Sequence, residues 1–157
     1  MKKFSILMLM LMLIFIGCNK NDVNDESNQQ PENSCIYNDM YWGTDREDIL
    51  AEKGEPYSNN PNSTLEYTEK FMSEDCEVSY VFDENNKLKT ILVSGDTIRT
   101  YEDIKSLFVQ SNGEPLKEEV AVDDSLVANW EIGNTKIELV VSEDLENYIV
   151  VYALKTE

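Results

Sequence analysis

The sequence predicts an α+β domain in which two αβββ repeats form one antiparallel sheet with helices packed on one face. Three observations predict it. Gly54-Glu55-Pro56 recurs as Gly113-Glu114-Pro115, and at the same offset Val78, Tyr80 and Phe82 fall on Ile137, Leu139 and Val141, while Ile91 and Val93 fall on Val150 and Tyr152. The segments ahead of the two glycines carry apolar residues at helical spacing behind capping residues. Most of the remainder alternates apolar and polar residues between short turns, the period of half-buried strands that pair antiparallel.

In the first repeat, about residues 41–95, Thr44 and Glu47 have the spacing of a capping box. Ile49, Leu50 and Trp42 supply an apolar face, and Gly54 ends the helix in a left-handed cap with Pro56 beyond it. Strands are expected at about 64–70, 75–82 and 88–94, with turns at Ser73-Glu74-Asp75 and Asp83-Glu84-Asn85-Asn86. In the second repeat, about 100–154, Thr100 is the N-cap, Ile104, Leu107 and Phe108 fall at helical spacing, and Asn112-Gly113 ends the helix. Its strands are expected at about 126–132, 135–142 and 147–154, with Gly133-Asn134 as a two-residue hairpin turn. Tyr67 and Trp130 hold matching places in the two repeats.

The chain begins with Lys2 and Lys3, followed by an apolar run from Phe4 to Ile16 broken only by Ser5. A helix of that length rises about 20 Å, short of a hydrocarbon core of about 30 Å, so the pattern reads as a secretory signal over residues 1–17. Phe15-Ile16-Gly17-Cys18 resembles the lipobox of bacterial lipoproteins, in which the cysteine is diacylated and becomes the first mature residue; Phe15 stands where Leu is usual. The resemblance implies a lipid anchor on Cys18 and a place in the cell envelope, on the extracytoplasmic side of a membrane. Residues 18–34 are polar and acidic apart from Val23 and read as a flexible tether. A single globular domain is expected over 35–157.

Composition removes whole classes of function. The 157 residues include 31 Asp and Glu, 13 Lys and Arg and no His, for a formal charge of -18. Without histidine there is no Ser-His-Asp or Cys-His catalysis and no His-ligated zinc. A surface this acidic repels phosphate backbones and anionic lipid, so nucleic acid is excluded as a partner. No phosphate loop, dinucleotide fingerprint or nucleophile elbow is present, and no cofactor or metal site is expected. Neighbouring acids such as Asp123-Asp124 carry little information among so many.

Trp42-Gly43-Thr44, a short helix ending in Gly-x-Pro, the aromatic-centred Leu65-Glu66-Tyr67 and the strand Val78-Ser79-Tyr80-Val81-Phe82-Asp83 resemble one arm of a tandem-repeat group. That group comprises the beta-lactamase-inhibitor-like proteins and the SmpA-type small outer-membrane lipoproteins. The likeness covers Tyr41 to Leu154, although the second repeat has only Thr100-Tyr101 where the first has Trp-Gly. It implies a curved antiparallel sheet, backed by helices, that binds another protein.

Strand parity nominates a binding surface. If the offset positions are core, Thr90, Leu92, Glu138, Val140, Ile149 and Val151 point to the helix-free face. Aliphatic side chains there suit a protein partner, and the acidity suits a basic one. The plainer alternative is that β-branched residues favour strands whichever way they point. The leading expectation is therefore a lipid-anchored, non-enzymatic envelope protein that binds a protein partner through its sheet face. Its rivals are a structural accessory lipoprotein of an envelope assembly and a sensor of small ligands or cations. Cys35 and Cys76 make an even pair in an exported domain and are assigned as a disulfide; two separately buried or reduced thiols are the alternative.

Intact mass of the native protein, taken before and after reduction and alkylation, checks both assignments. The expected species begins with diacylglyceryl-modified Cys18 and gains two alkyl groups only after reduction. A chain that retains residues 1–17 removes the anchor, and free alkylation of both thiols in unfolded, unreduced protein removes the bridge.

Overall fold

The computed structural model describes residues 36–60, 63–96, 99–142 and 147–155. The signal segment, the tether, Cys18 and Cys35 lie outside the described residues. The elements are α1 (Arg46–Lys53), β1 (Ser58–Asn60), β2 (Thr64–Phe71), β3 (Glu74–Phe82), β4 (Leu88–Asp96), α2 (Tyr101–Asn112), β5 (Lys117–Val120), β6 (Leu126–Ile132), β7 (Thr135–Val141) and β8 (Asn147–Leu154). Each helix is followed by four strands where three were expected. The additions, β1 and β5, are short polar strands at the two edges of the sheet.

All eight strands form one antiparallel sheet in the order β1-β2-β3-β4-β8-β7-β6-β5. Consecutive strands pair through short turns within each half, and the halves meet where β4 pairs with β8, from Thr90↔Ala153 to Asp96↔Asn147. The ten positions nominated by the sequence offset all lie in one buried core, together with Ile49 of α1 and Ile104 and Phe108 of α2. Apolar side chains at every second strand position thus meet both helices on the same side of the sheet. Leu107 points away and is 37% exposed, so the second helix buries a narrower stripe than its sequence spacing predicts.

The two helices begin differently. Thr100 caps α2 in a full capping box: its hydroxyl accepts from the Asp103 N–H and the Asp103 carboxylate accepts from the Thr100 N–H. The Thr100 hydroxyl, donating to the Asp103 carboxylate at 2.8 Å, and then the Thr100 N–H hold that carboxyl below the ordinary carboxylate range. The box expected at Thr44 and Glu47 does not form. Asp45 is the N-cap of α1 and makes no side-chain cap, because its carboxylate is taken by Lys87 at 2.8 Å. The Thr44 hydroxyl donates instead to the Tyr41 carbonyl. Trp42 lies before the helix rather than on its face, and its indole N–H donates across the core to the Thr135 hydroxyl at 2.8 Å.

The helices end alike. Gly54 and Gly113 have φ of 80° and 79°, which favours glycine, and their N–H groups donate to Leu50 and Val109 carbonyls. Their ψ values of -157° and -173° are extended, so the expected left-handed cap is corrected to a glycine cap of another shape. The carbonyl of each glycine is then held from the sheet: the Tyr67 hydroxyl donates to Gly54 at 2.9 Å and the Trp130 indole donates to Gly113 at 2.8 Å. A second tie holds α1. Glu69 accepts from Tyr80 at 2.7 Å and Asn38 at 2.9 Å and pairs with Lys53 at 3.0 Å, with both charged side chains largely buried.

The chain reaches α1 across the core side of the sheet. Tyr37 packs its ring against Phe71 and Tyr152, and Gly43 and Thr44 exchange backbone bonds with Leu88. The described residues ahead of α1 therefore lie on the helix side of the sheet.

Tyr67→Phe removes one of the helix-end bonds with little change of shape and is expected to cost about 1 kcal/mol. Trp130→Phe, which also leaves a cavity, is expected to cost about 2–3 kcal/mol. The control Tyr57→Phe, at a residue 56% exposed, stays within about 0.5 kcal/mol. Urea unfolding of the three variants checks the order; equal midpoints for Tyr67→Phe and Tyr57→Phe would contradict it.

Candidate functional site

Strand register places the nominated residues together on the helix-free face. Leu92 pairs with Val151, which pairs on its other side with Glu138. Thr90 pairs with Ala153, and Val140 with Ile149. Neighbouring strands stand about 4.8 Å apart and same-face residues about 6.8 Å apart along a strand, so these side chains form adjacent rows. Thr90, Leu92, Val140 and Val151 are half-buried, Ile149 is 44% exposed and Glu138 is exposed.

Two further residues belong here. Val127 pairs with Val140 and is buried but stands outside the core cluster, so it extends the aliphatic row Ile149–Val140–Val127 on this face. Parity against Trp130 was available to nominate it. Tyr57 is an exposed aromatic just before edge strand β1, with Glu77 and Glu66 near its hydroxyl. Burial and those two charges raise its pKa. No sequence pattern marked it, because the strand it precedes is itself only three polar residues long.

The rim of the face is acidic. Asp75 pairs with Lys70, Glu119 with Lys117 and Glu131 with Lys155. Glu66, Glu77, Asp96 and Glu138 make no ion pair among the described residues. Unneutralised carboxylates around an aliphatic centre raise the local affinity for cationic surface.

Cys76 is a buried free thiol whose Sγ lies 3.5 Å from the Glu69 carbonyl oxygen. Burial, then the Glu69 charge, push its pKa up, which keeps it protonated and a poor nucleophile. Its assigned disulfide partner, Cys35, falls outside the described residues. Among the described residues no helix is long and apolar enough to cross a membrane.

No family model matches the chain, and no curated protein matches it. Among solved structures it resembles a DUF4309 family protein (YjgB) from Bacillus subtilis subsp. subtilis str. 168. The TM-score is 0.50 at 14% sequence identity, over 71% of this chain and 79% of that one. The likeness is one of fold. The chain is an α+β protein with an eight-stranded antiparallel sheet, similar in architecture to a small bacterial protein.

Adjacent residues on β8 separate the two faces. Val150→Asp places a carboxylate in the core and is expected to cost more than about 4 kcal/mol, while Val151→Asp stays within about 1 kcal/mol. Thermal unfolding followed by circular dichroism checks the contrast. Equal loss in both variants would mean that the helix-free face is covered.

Proposed function

We propose that the chain is a lipid-anchored, non-enzymatic binding protein of a bacterial cell envelope, and that it recognises a basic protein partner through the helix-free face of its sheet. The observation that carries the reading is the aliphatic rows Leu92–Val151 and Ile149–Val140–Val127 bordered by carboxylates that make no ion pair among the described residues. Apolar contact would supply the affinity at the centre, and the charges at the rim would steer and orient the partner. Tyr57 adds an exposed ring beside Glu66 and Glu77, a combination suited to a Lys or Arg side chain.

The anchor belongs to the same reading. Cys18 as the lipidated residue rests on the lipobox resemblance, and the packing of Tyr37 on the helix side of the sheet supports a tether joined away from the binding face. Cys35 and Cys76 remain the proposed disulfide. We read the domain as two αβββ repeats, each extended by an edge strand. The sequence offset and the matching Tyr67–Gly54 and Trp130–Gly113 bonds support that history, as does the kinship with SmpA-type lipoproteins proposed from the motifs.

Full-length protein carrying Val151→Asp or Leu116→Asp is compared with the unaltered chain in capture from detergent-solubilised envelopes. Leu116 is 71% exposed and lies outside the sheet-face rows, so its variant is the control. The expected result is a partner retained by the unaltered chain and the Leu116 variant, lost with Val151→Asp, and released by raised salt. Undiminished capture by folded Val151→Asp protein would overturn the sheet-face reading.

A further inference from the structure

A pocket of about 300 Å³ opens on the helix side of the sheet, between α2 and the turn that joins β2 to β3. Phe71, Met72, Leu107, Phe108, Ile137 and Tyr152 wall it, and Ser111 and Asn112 in the last turn of α2 supply its polar groups. Ile137 and Tyr152 belong to the core side of the sheet, so the pocket lies across the sheet from the face proposed to bind a protein and is independent of that reading.

Two observations mark it as a site rather than a packing gap. The first is Leu107. Its spacing sets it with Ile104 and Phe108 on the apolar stripe of α2, and those two are buried, yet Leu107 is 37% exposed and borders the pocket. The second is the turn. β2 and β3 are joined by two residues, Met72 and Ser73, with φ of 52° and 69°. Two-residue hairpin turns take positive φ and favour Asn and Gly there. Met carries a side chain that this backbone disfavours, and Arg99 helps to hold the turn, donating to the Met72 carbonyl at 3.3 Å and to Glu74 at 3.4 Å. What Met offers over Gly is a flexible, polarisable wall for the pocket, the property that suits methionine to surfaces that admit ligands.

The lining selects the chemistry. A cavity of about 150 Å³ walled by aliphatic and aromatic side chains takes benzene, so one twice that size takes an apolar body of about ten carbons. The polar groups sit at the C-terminal end of α2, whose last turn holds no basic residue and whose final carbonyls carry the negative end of the helix dipole. A carboxylate head would be repelled there, and the chain's formal charge of -18 adds to the repulsion. Among the described residues no acid lines the pocket, so an ammonium head would find no counter-charge. A hydroxyl head suits the place, since it donates to a carbonyl and carries no charge.

We propose that this pocket binds one small uncharged amphiphile, an apolar chain of about ten carbons bearing a hydroxyl head, with its chain against Met72, Leu107 and Phe108 and its head at Ser111 and Asn112.

Titration of the full-length chain with 1-octanol and with octanoate, followed through backbone amide resonances, tests the site. The expected result is saturable shifts centred on Met72, Leu107, Ser111 and Asn112 with the alcohol, and binding of the carboxylate weaker by at least about tenfold. Met72→Gly should bind the alcohol about fivefold more weakly while unfolding no earlier in urea than the unaltered chain, because glycine suits the turn but removes the wall. Leu107→Asn, at an already exposed position, should lose about threefold or more, and Leu116→Asn, outside the pocket, should bind unchanged. Equal affinity for the alcohol and the carboxylate, shifts that never saturate or that centre on the helix-free face, or unchanged affinity in both pocket variants would each overturn the proposal. Pocket amides that ignore the alcohol and shift only when a protein partner is captured would assign the pocket to a side chain of that partner and overturn it as well.

Discussion

The ladder between β4 and β8 is the contact on which the rest of the molecule depends. Within each half, every strand is joined to its neighbour by a short turn, so local chain geometry does much of the pairing. The β4–β8 ladder has no such help: Leu92 meets Val151 and Val93 meets Val150 across more than fifty residues of sequence. Its register makes one core out of two halves, because Ile91, Val93, Val150 and Tyr152 then share a side with Ile49, Ile104 and Phe108. A slip of one residue would carry those side chains to the other face and bring Leu92, Ile149 and Val151 into the core. The same pairing therefore builds the core and composes the surface proposed to bind.

The helices are secondary to that ladder. With eight and twelve residues, neither would be stable alone, and each is fastened to the sheet at its glycine end by an aromatic donor. The segment before α1 completes the cover: Trp42 reaches Thr135 on β7, and Tyr37 reaches Tyr152 on β8. One side of the sheet is thus filled by helices, aromatic rings and the incoming chain, and the other keeps aliphatic side chains at its centre and carboxylates at its rim.

Much of this was legible in the sequence because core strands carry their burial in their alternation. The six long strands fell within about two residues of their expected bounds, and all ten offset positions lie in the core. The edge strands were not legible, since Ser58–Asn60 and Lys117–Val120 bury no alternating face and exist only by pairing with β2 and β6. Thr100 and Thr44 show the limit of a local motif. Both have the residues of a cap, yet α1 starts at Asp45 without a side-chain cap, its carboxylate held by Lys87 from across the chain. The face residues were placed by parity alone.

The central claim is that the helix-free face is open in the isolated protein and covered where the protein works. Carbene footprinting of the full-length chain, purified and in intact envelopes, measures this directly. The account predicts that Leu92, Val140, Ile149 and Val151 are labelled in the purified protein and protected in the envelope, while Leu116 and Val122 are labelled equally in both. Equal labelling of the face in the two states, or protection confined to Leu116 and Val122, would contradict it.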